Sequence, residues 1–155
     1  MKYLFCYIIA TFICFSVAFA HEYENDFVLI NHPWMKIFET KGAGYFVIEN
    51  KSKNSDIKLI SAKSLSIKKI EIHNIIMEND VMKMRPVQGG VNVTSETSFE
   101  FKPKSYHLMF FGIEGKYESG DMIDVELIFE KIQSIQVKFK VEAVKSSHNH
   151  EHHDH

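Results

Sequence analysis

Between Ile135 and Val141 every second residue is apolar, with Gln136, Lys138 and Lys140 interleaved. A period of two belongs to a strand with one buried and one wet face, and no segment of the chain sustains the 3.6-residue period of an amphipathic helix. Further β-rich runs recur at short spacing: Gly42 to Asn50, Ile57 to Ser61, Ile67 to Ile75, Val81 to Pro86, Val91 to Thr94, Phe99 to Lys102, His107 to Phe111 and Met122 to Phe129. Gly, Asn, Pro and Ser punctuate them, as in the polar turn from Asn50 to Asp56. The pattern predicts an all-β sandwich or barrel.

The N-terminus reads as an export signal over residues 1–20. Lys2 gives a positive start, Tyr3 to Val17 is almost unbroken apolar sequence, and Ala18-Phe19-Ala20 has the small-x-small form of a cleavage site. A membrane anchor is the competing reading, but the apolar run is short for a span and the polar, acidic stretch Glu22 to Asp26 follows at once. Cleavage would make His21 the first residue and leave no membrane span. Both cysteines, Cys6 and Cys14, leave with the signal, so the exported chain has neither a disulfide nor a thiolate metal site. Losing Lys2 makes the net charge of −2 one unit more negative, which argues against nucleic acid as a partner. Residues 21–145 are enough for one domain with its own core.

Soft donors collect in the middle of that domain. Met77, Met82, Met84 and Met109, with His73 and His107, fall within one stretch. His107 and Met109 are two apart, so a strand projects both from one face while Leu108 points into the core; Glu71 and His73 share a face by the same rule. Met82 and Met84 also share one, and alternation alone does not choose between them. Imidazole with thioether suits Cu(I) better than zinc, calcium or magnesium. Taken singly, a methionine in a sandwich is more often a core filler and a histidine a satisfied polar group. No nucleophile with an orienting base, carboxylate pair or phosphate-binding glycine loop appears, so the domain does not read as an enzyme.

The stretches Ile70 to His73, Met77 to Val87 and Lys102 to Met109 resemble the PCu(A)C family of periplasmic copper chaperones. The shared pattern is His, ten residues, Met, about twenty-two residues, then His-x-Met; ten residues separate His73 from Met84 here and twenty-two separate Met84 from His107. Pro33-Trp34, Gly42 to Asn50, Gly120-Asp121 and Leu127 to Glu130 extend the likeness over residues 28–142. The resemblance implies a cupredoxin-like β-sandwich of Greek-key type. It also implies one Cu(I) held by His73, Met84, His107 and Met109, with Met77 and Met82 as neighbours that hand copper inward or substitute. Delivery would run toward the dinuclear copper centre of cytochrome c oxidase, through oxidase subunit II or a thiol-containing copper chaperone. Thioethers suit an oxidising compartment because, unlike thiolates, they cannot form disulfides, although they are open to sulfoxide formation.

Residues 146–155 form a His-rich tail expected to be disordered, with His148, His150, His152, His153 and His155 interrupted by Asn149, Glu151 and Asp154. Those interruptions are unlike an affinity tag, and imidazole with carboxylate suits Cu(II) better than Cu(I). His21, with a free α-amine after cleavage, is a further Cu(II) chelator of the histidine-brace kind, although nothing else in the sequence builds an oxygen-activating site around it. Two other functions stay open: a metal-buffering or resistance protein without a dedicated recipient, and an interaction sandwich whose methionines are core.

Overall fold

A computed structural model describes residues 22–143. The export signal over residues 1–20, His21 and the tail over residues 146–155 lie outside the described residues. Eleven strands follow in chain order: β1 (Glu22–Glu24), β2 (Val28–Phe38), β3 (Lys41–Asn50), β4 (Ile57–Lys63), β5 (Ile67–Glu78), β6 (Val81–Pro86), β7 (Val91–Val93), β8 (Ser98–Phe101), β9 (His107–Ile113), β10 (Met122–Glu130) and β11 (Ile135–Glu142). No helix occurs among the described residues.

Hydrogen bonds connect nine strands in the order β6-β5-β9-β3-β2-β11-β10-β4-β7, with β1 added at β2 and β8 at β3. Strand β11 meets β2 in parallel, whereas the hairpins β2–β3, β5–β6 and β10–β11 are antiparallel. Neighbours distant in sequence, such as β3 with β9 and β10 with β4, make this an all-β Greek-key arrangement. The sheet folds over on itself, so its two halves face each other across one core of alternating residues.

Aromatic rings lock the halves together. Phe139 of β11 meets Phe46 of β3 edge-on at 5.6 Å and Phe110 of β9 at 5.7 Å, while Phe46 stacks on Phe101 of β8 at 4.4 Å. Gly44 leaves the room for this: a Cβ there would lie 2.6 Å from Phe110 Cε2 and 2.9 Å from Phe139 Cε1. Because β3 pairs with β9, that close approach also sets where β9 runs.

Two local features shape the edge that carries the histidines. Asn79 and Asp80 turn β5 into β6 with φ of 51° and 60°, left-handed values that Asn and Asp tolerate and that a two-residue hairpin turn of type I′ requires. In β2 the pairing with β3 shifts between Asn31 and Trp34, around His32 with φ 50° and Pro33, which has no N–H to donate. That interruption hid β2 from its periodicity, and β1 is only three residues long; neither was among the strands expected from sequence.

Candidate metal centre

The register of β6, β5 and β9 brings the soft donors onto one face. His73 lies directly opposite His107 across β5–β9, and Glu71 opposite Met109. Across β5–β6, Ile75 lies opposite Met84 and Met77 opposite Met82. Alternation then puts Glu71, His73, Ile75 and Met77 on the same side as Met82, Met84, His107 and Met109, while Ile72 and Leu108 point into the core. The register separates the two β6 methionines by their distance from the histidines. Met84 sits one cross-strand step from His73, about 7 Å by strand geometry, whereas Met82 sits two steps away at about 13 Å.

Only three polar residues are buried among the described residues, and they differ in kind: Asn50, His73 and His107. The Asn50 amide is satisfied, donating to Ser55 O at 2.9 Å and Val93 O at 3.0 Å and accepting from Ser52 N at 2.9 Å. The histidines each leave one ring nitrogen, His73 Nδ1 and His107 Nε2, buried without a hydrogen-bond partner. Buried polar atoms are rarely left so, and each one costs stability unless something else uses it.

The other nitrogen of each ring decides what the orphan can do. His107 Nδ1 lies 2.9 Å from Ser105 O, and since a carbonyl only accepts, Nδ1 carries the proton and Nε2 presents a lone pair. His73 Nε2 lies 2.9 Å from Glu71 Oε2. Hydrogen bonds from Lys69 and then from His73 hold the Glu71 carboxyl below the usual carboxylate range, so it also accepts and His73 Nδ1 is the free lone pair. A backbone carbonyl and a carboxylate behind two imidazoles are the supports that metal-binding histidines usually have. The ring centroids are 5.9 Å apart, within the span two imidazoles reach when bonded to one ion at about 2 Å.

Aromatic rings close the site on two sides. Tyr45 lies 6.3 Å from His107 and packs at 4.4 Å against Trp34, while Phe111 lies 6.1 Å from His73. Burial raises the Tyr45 pKa, keeping the phenol neutral. Glu71, the Ser105 carbonyl, Tyr45 and Trp34 were not picked out as site residues from sequence. Glu71 left a signal in its two-residue offset from His73, and Trp34 and Tyr45 lie in segments that carry the family resemblance.

No group of three or more His, Cys, Asp or Glu side chains among the described residues is placed to hold a metal. Besides the two imidazoles and the Glu71 carboxylate that faces His73 Nε2, this face carries the thioethers of Met77, Met82, Met84 and Met109. Met84 is 45% exposed and Met109 partly so, whereas His73 and His107 are buried.

The family model described as "Putative lipoprotein LpqE-like" matches residues 28–141, nearly all of this sandwich. The chain belongs to the LpqE-like family. A relative from Rickettsia prowazekii (strain Madrid E), Uncharacterized protein RP573, is 28% identical over 102 residues, which are 66% of this chain and 56% of that protein. The match thus spans little more than half of the relative's length. Among solved structures, "Copper-bound PCuAC domain from PmoF2" superposes with a TM-score of 0.67 at 21% identity, over 80% of this chain and 99% of that one. "Solution structure of CuI-DR1885 from Deinococcus Radiodurans" gives a TM-score of 0.57 at 18% identity, over 82% and 83% of the two chains. These likenesses establish the cupredoxin-like sandwich as the fold.

Burial lowers the His107 pKa, the Ser105 hydrogen bond opposes that shift and the charge of His73 adds to it. A folded state that resists protonating His107 loses stability as pH falls below about 6.5, because the unfolded chain takes up the proton first. Above that pH the ring is neutral in both states and the effect vanishes. The metal-free protein should therefore unfold at lower urea at pH 5.5 than at pH 7.5, with His107→Gln showing a shallower decline. Equal acid slopes for the two proteins would show that His107 is not the group resisting protonation.

Proposed function

We propose that this protein is an exported Cu(I) carrier that holds one ion between His73 Nδ1, His107 Nε2 and the thioethers of Met84 and Met109. The observation that carries the reading is the pair of opposed, buried imidazole lone pairs, each left free by a hydrogen bond on the far side of its ring. The ion enters from the methionine side, where the donors are exposed, and comes to rest against the buried nitrogens. No ligand carries a proton that Cu(I) must displace above the histidine range. The Glu71 carboxylate acts through His73, raising the basicity of its free nitrogen without touching the ion.

The same donor set fits delivery better than storage. Two imidazoles and two thioethers are neutral, so the ion keeps its charge and the site yields to a recipient offering a pair of thiolates. The carrier reading is supported by the copper-bound and Cu(I)-bound proteins that share the fold, and export by the lipoprotein description of the family. We place the protein in the periplasm and its recipient in the assembly of the dinuclear copper centre of cytochrome c oxidase, with tail histidines His148 to His155 collecting Cu(II).

X-ray absorption at the copper edge, on Cu(I)-loaded protein truncated after Lys145, should show mixed sulfur and nitrogen coordination. A first shell of nitrogen and oxygen alone would sink the thioether site.

A further inference from the structure

The face that carries the candidate centre continues beyond it. Past Met84, toward the tip of the β5–β6 hairpin, the next cross-strand pair is Met77 opposite Met82. Four of the eight large hydrophobic residues exposed among the described residues lie on this one hairpin: Met77 at 64%, Val81 at 56%, Met82 at 58% and Met84 at 45%. Scattered exposed apolar residues need no explanation, but a concentration of thioethers does.

Geometry lets these sulfurs converge. Directly opposed residues on an antiparallel pair hold their Cβ atoms about 5 Å apart, and Met82 and Met84 are about 7 Å apart along one strand. Three rotatable bonds per side chain cover those gaps. The charges of the hairpin are turned away: Lys83 and Arg85 alternate to the opposite face, where both bind Glu78 Oε2, at 2.8 Å and 3.1 Å. No cation is therefore set over the methionine face by its own hairpin, and the patch offers a soft cation three neutral sulfurs, with the nearest imidazole, His73, on the Met84 side alone.

We propose that Met77, Met82 and Met84 form an outer thioether site for Cu(I), through which the ion enters and leaves the His73–His107 centre, with Met84 belonging to both. This rests on the Cu(I) reading above and extends it along the hairpin. An all-thioether site lacks the two nitrogen donors and is open to solvent, so it is the weaker of the two and fills second at equilibrium while being met first in time. Passage inward requires Met84 alone to exchange partners, since its sulfur lies within reach of both groups.

The test is an anaerobic titration of the exported chain, labelled with ¹³C at the methionine methyls, with Cu(I) supplied as its acetonitrile complex. Met35, fully buried on β2, serves as the internal reference. The expected result is movement of the Met84 and Met109 methyls over the first equivalent and of Met77 and Met82 over the second. Met77→Leu/Met82→Leu, which keeps an apolar side chain at two exposed positions, should retain the first equivalent, lose the second and load more slowly from a Cu(I) chelate. Response of Met84 and Met109 with Met77 and Met82 unmoved overturns the outer site and leaves the centre standing. Response of Met77 and Met82 with Met109 unmoved removes the centre that the outer site serves, and so overturns the entry route from the other side. Unchanged loading rate and stoichiometry in the leucine variant would also overturn it.

Discussion

Replacing Met84 and Met109 together by leucine is expected to abolish Cu(I) binding at the His73–His107 centre while the metal-free melting temperature moves by only a few degrees. Met84 is nearly half exposed and Met109 is only partly buried, so neither fills the core. Leucine is close to methionine in volume, and such swaps outside a packed core cost about 1 kcal/mol or less. What disappears is both soft donors of the centre, leaving two imidazoles as its only ligands for a soft ion. Thermal melts of the metal-free double variant, run beside its Cu(I) stoichiometry, check both halves. Loss of more than about 3 kcal/mol would identify the two methionines as packing residues, and the copper assignment would fall with them.

Phe139→Ala is expected to do the reverse. The ring is fully buried and contacts Phe46 and Phe110 edge-on, so its removal opens a cavity where the two halves of the sheet meet. Truncations of this kind cost about 3–5 kcal/mol, against a total stability of about 5–15 kcal/mol for a domain. The melting temperature should fall by on the order of 10 °C. No donor on the histidine face is touched, so saturating Cu(I) should recover part of the loss by binding only the folded state. A variant that melts with the wild type would show that the halves do not depend on this ring cluster. One that loses stability and shows no Cu(I) rescue would show that the site does not survive without it.

The two variants separate what the sequence made legible from what it did not. The sequence places β11 within one residue, because its apolar alternation is undisturbed, and β6 at Val81–Pro86, although β6 buries no side chain. Strand β2 was missed because a left-handed His32 and the following Pro33 break its alternation with a bulge. The common face of His107 and Met109 follows from a two-residue offset on one strand. That His73 lies opposite His107 does not, since it depends on pairing between segments thirty-four residues apart, which local periodicity does not encode. Met82 and Met84 were equivalent until the β5–β6 register put Met84 nearer the histidines. The protonation states were the least accessible, being decided by a backbone carbonyl at Ser105 and a carboxylate at Glu71.

Those protonation states provide the most direct measurement. Long-range proton–nitrogen spectra of ¹⁵N-histidine-labelled exported chain at pH 7.5 should show His73 protonated at Nε2 and His107 at Nδ1 in the metal-free protein. On adding one equivalent of Cu(I), His73 Nδ1 and His107 Nε2 should shift together, with the five tail histidines unchanged. Opposite tautomers in the metal-free protein, or Cu(I)-induced shifts confined to His148, His150, His152, His153 and His155, would contradict a Cu(I) centre in the folded domain.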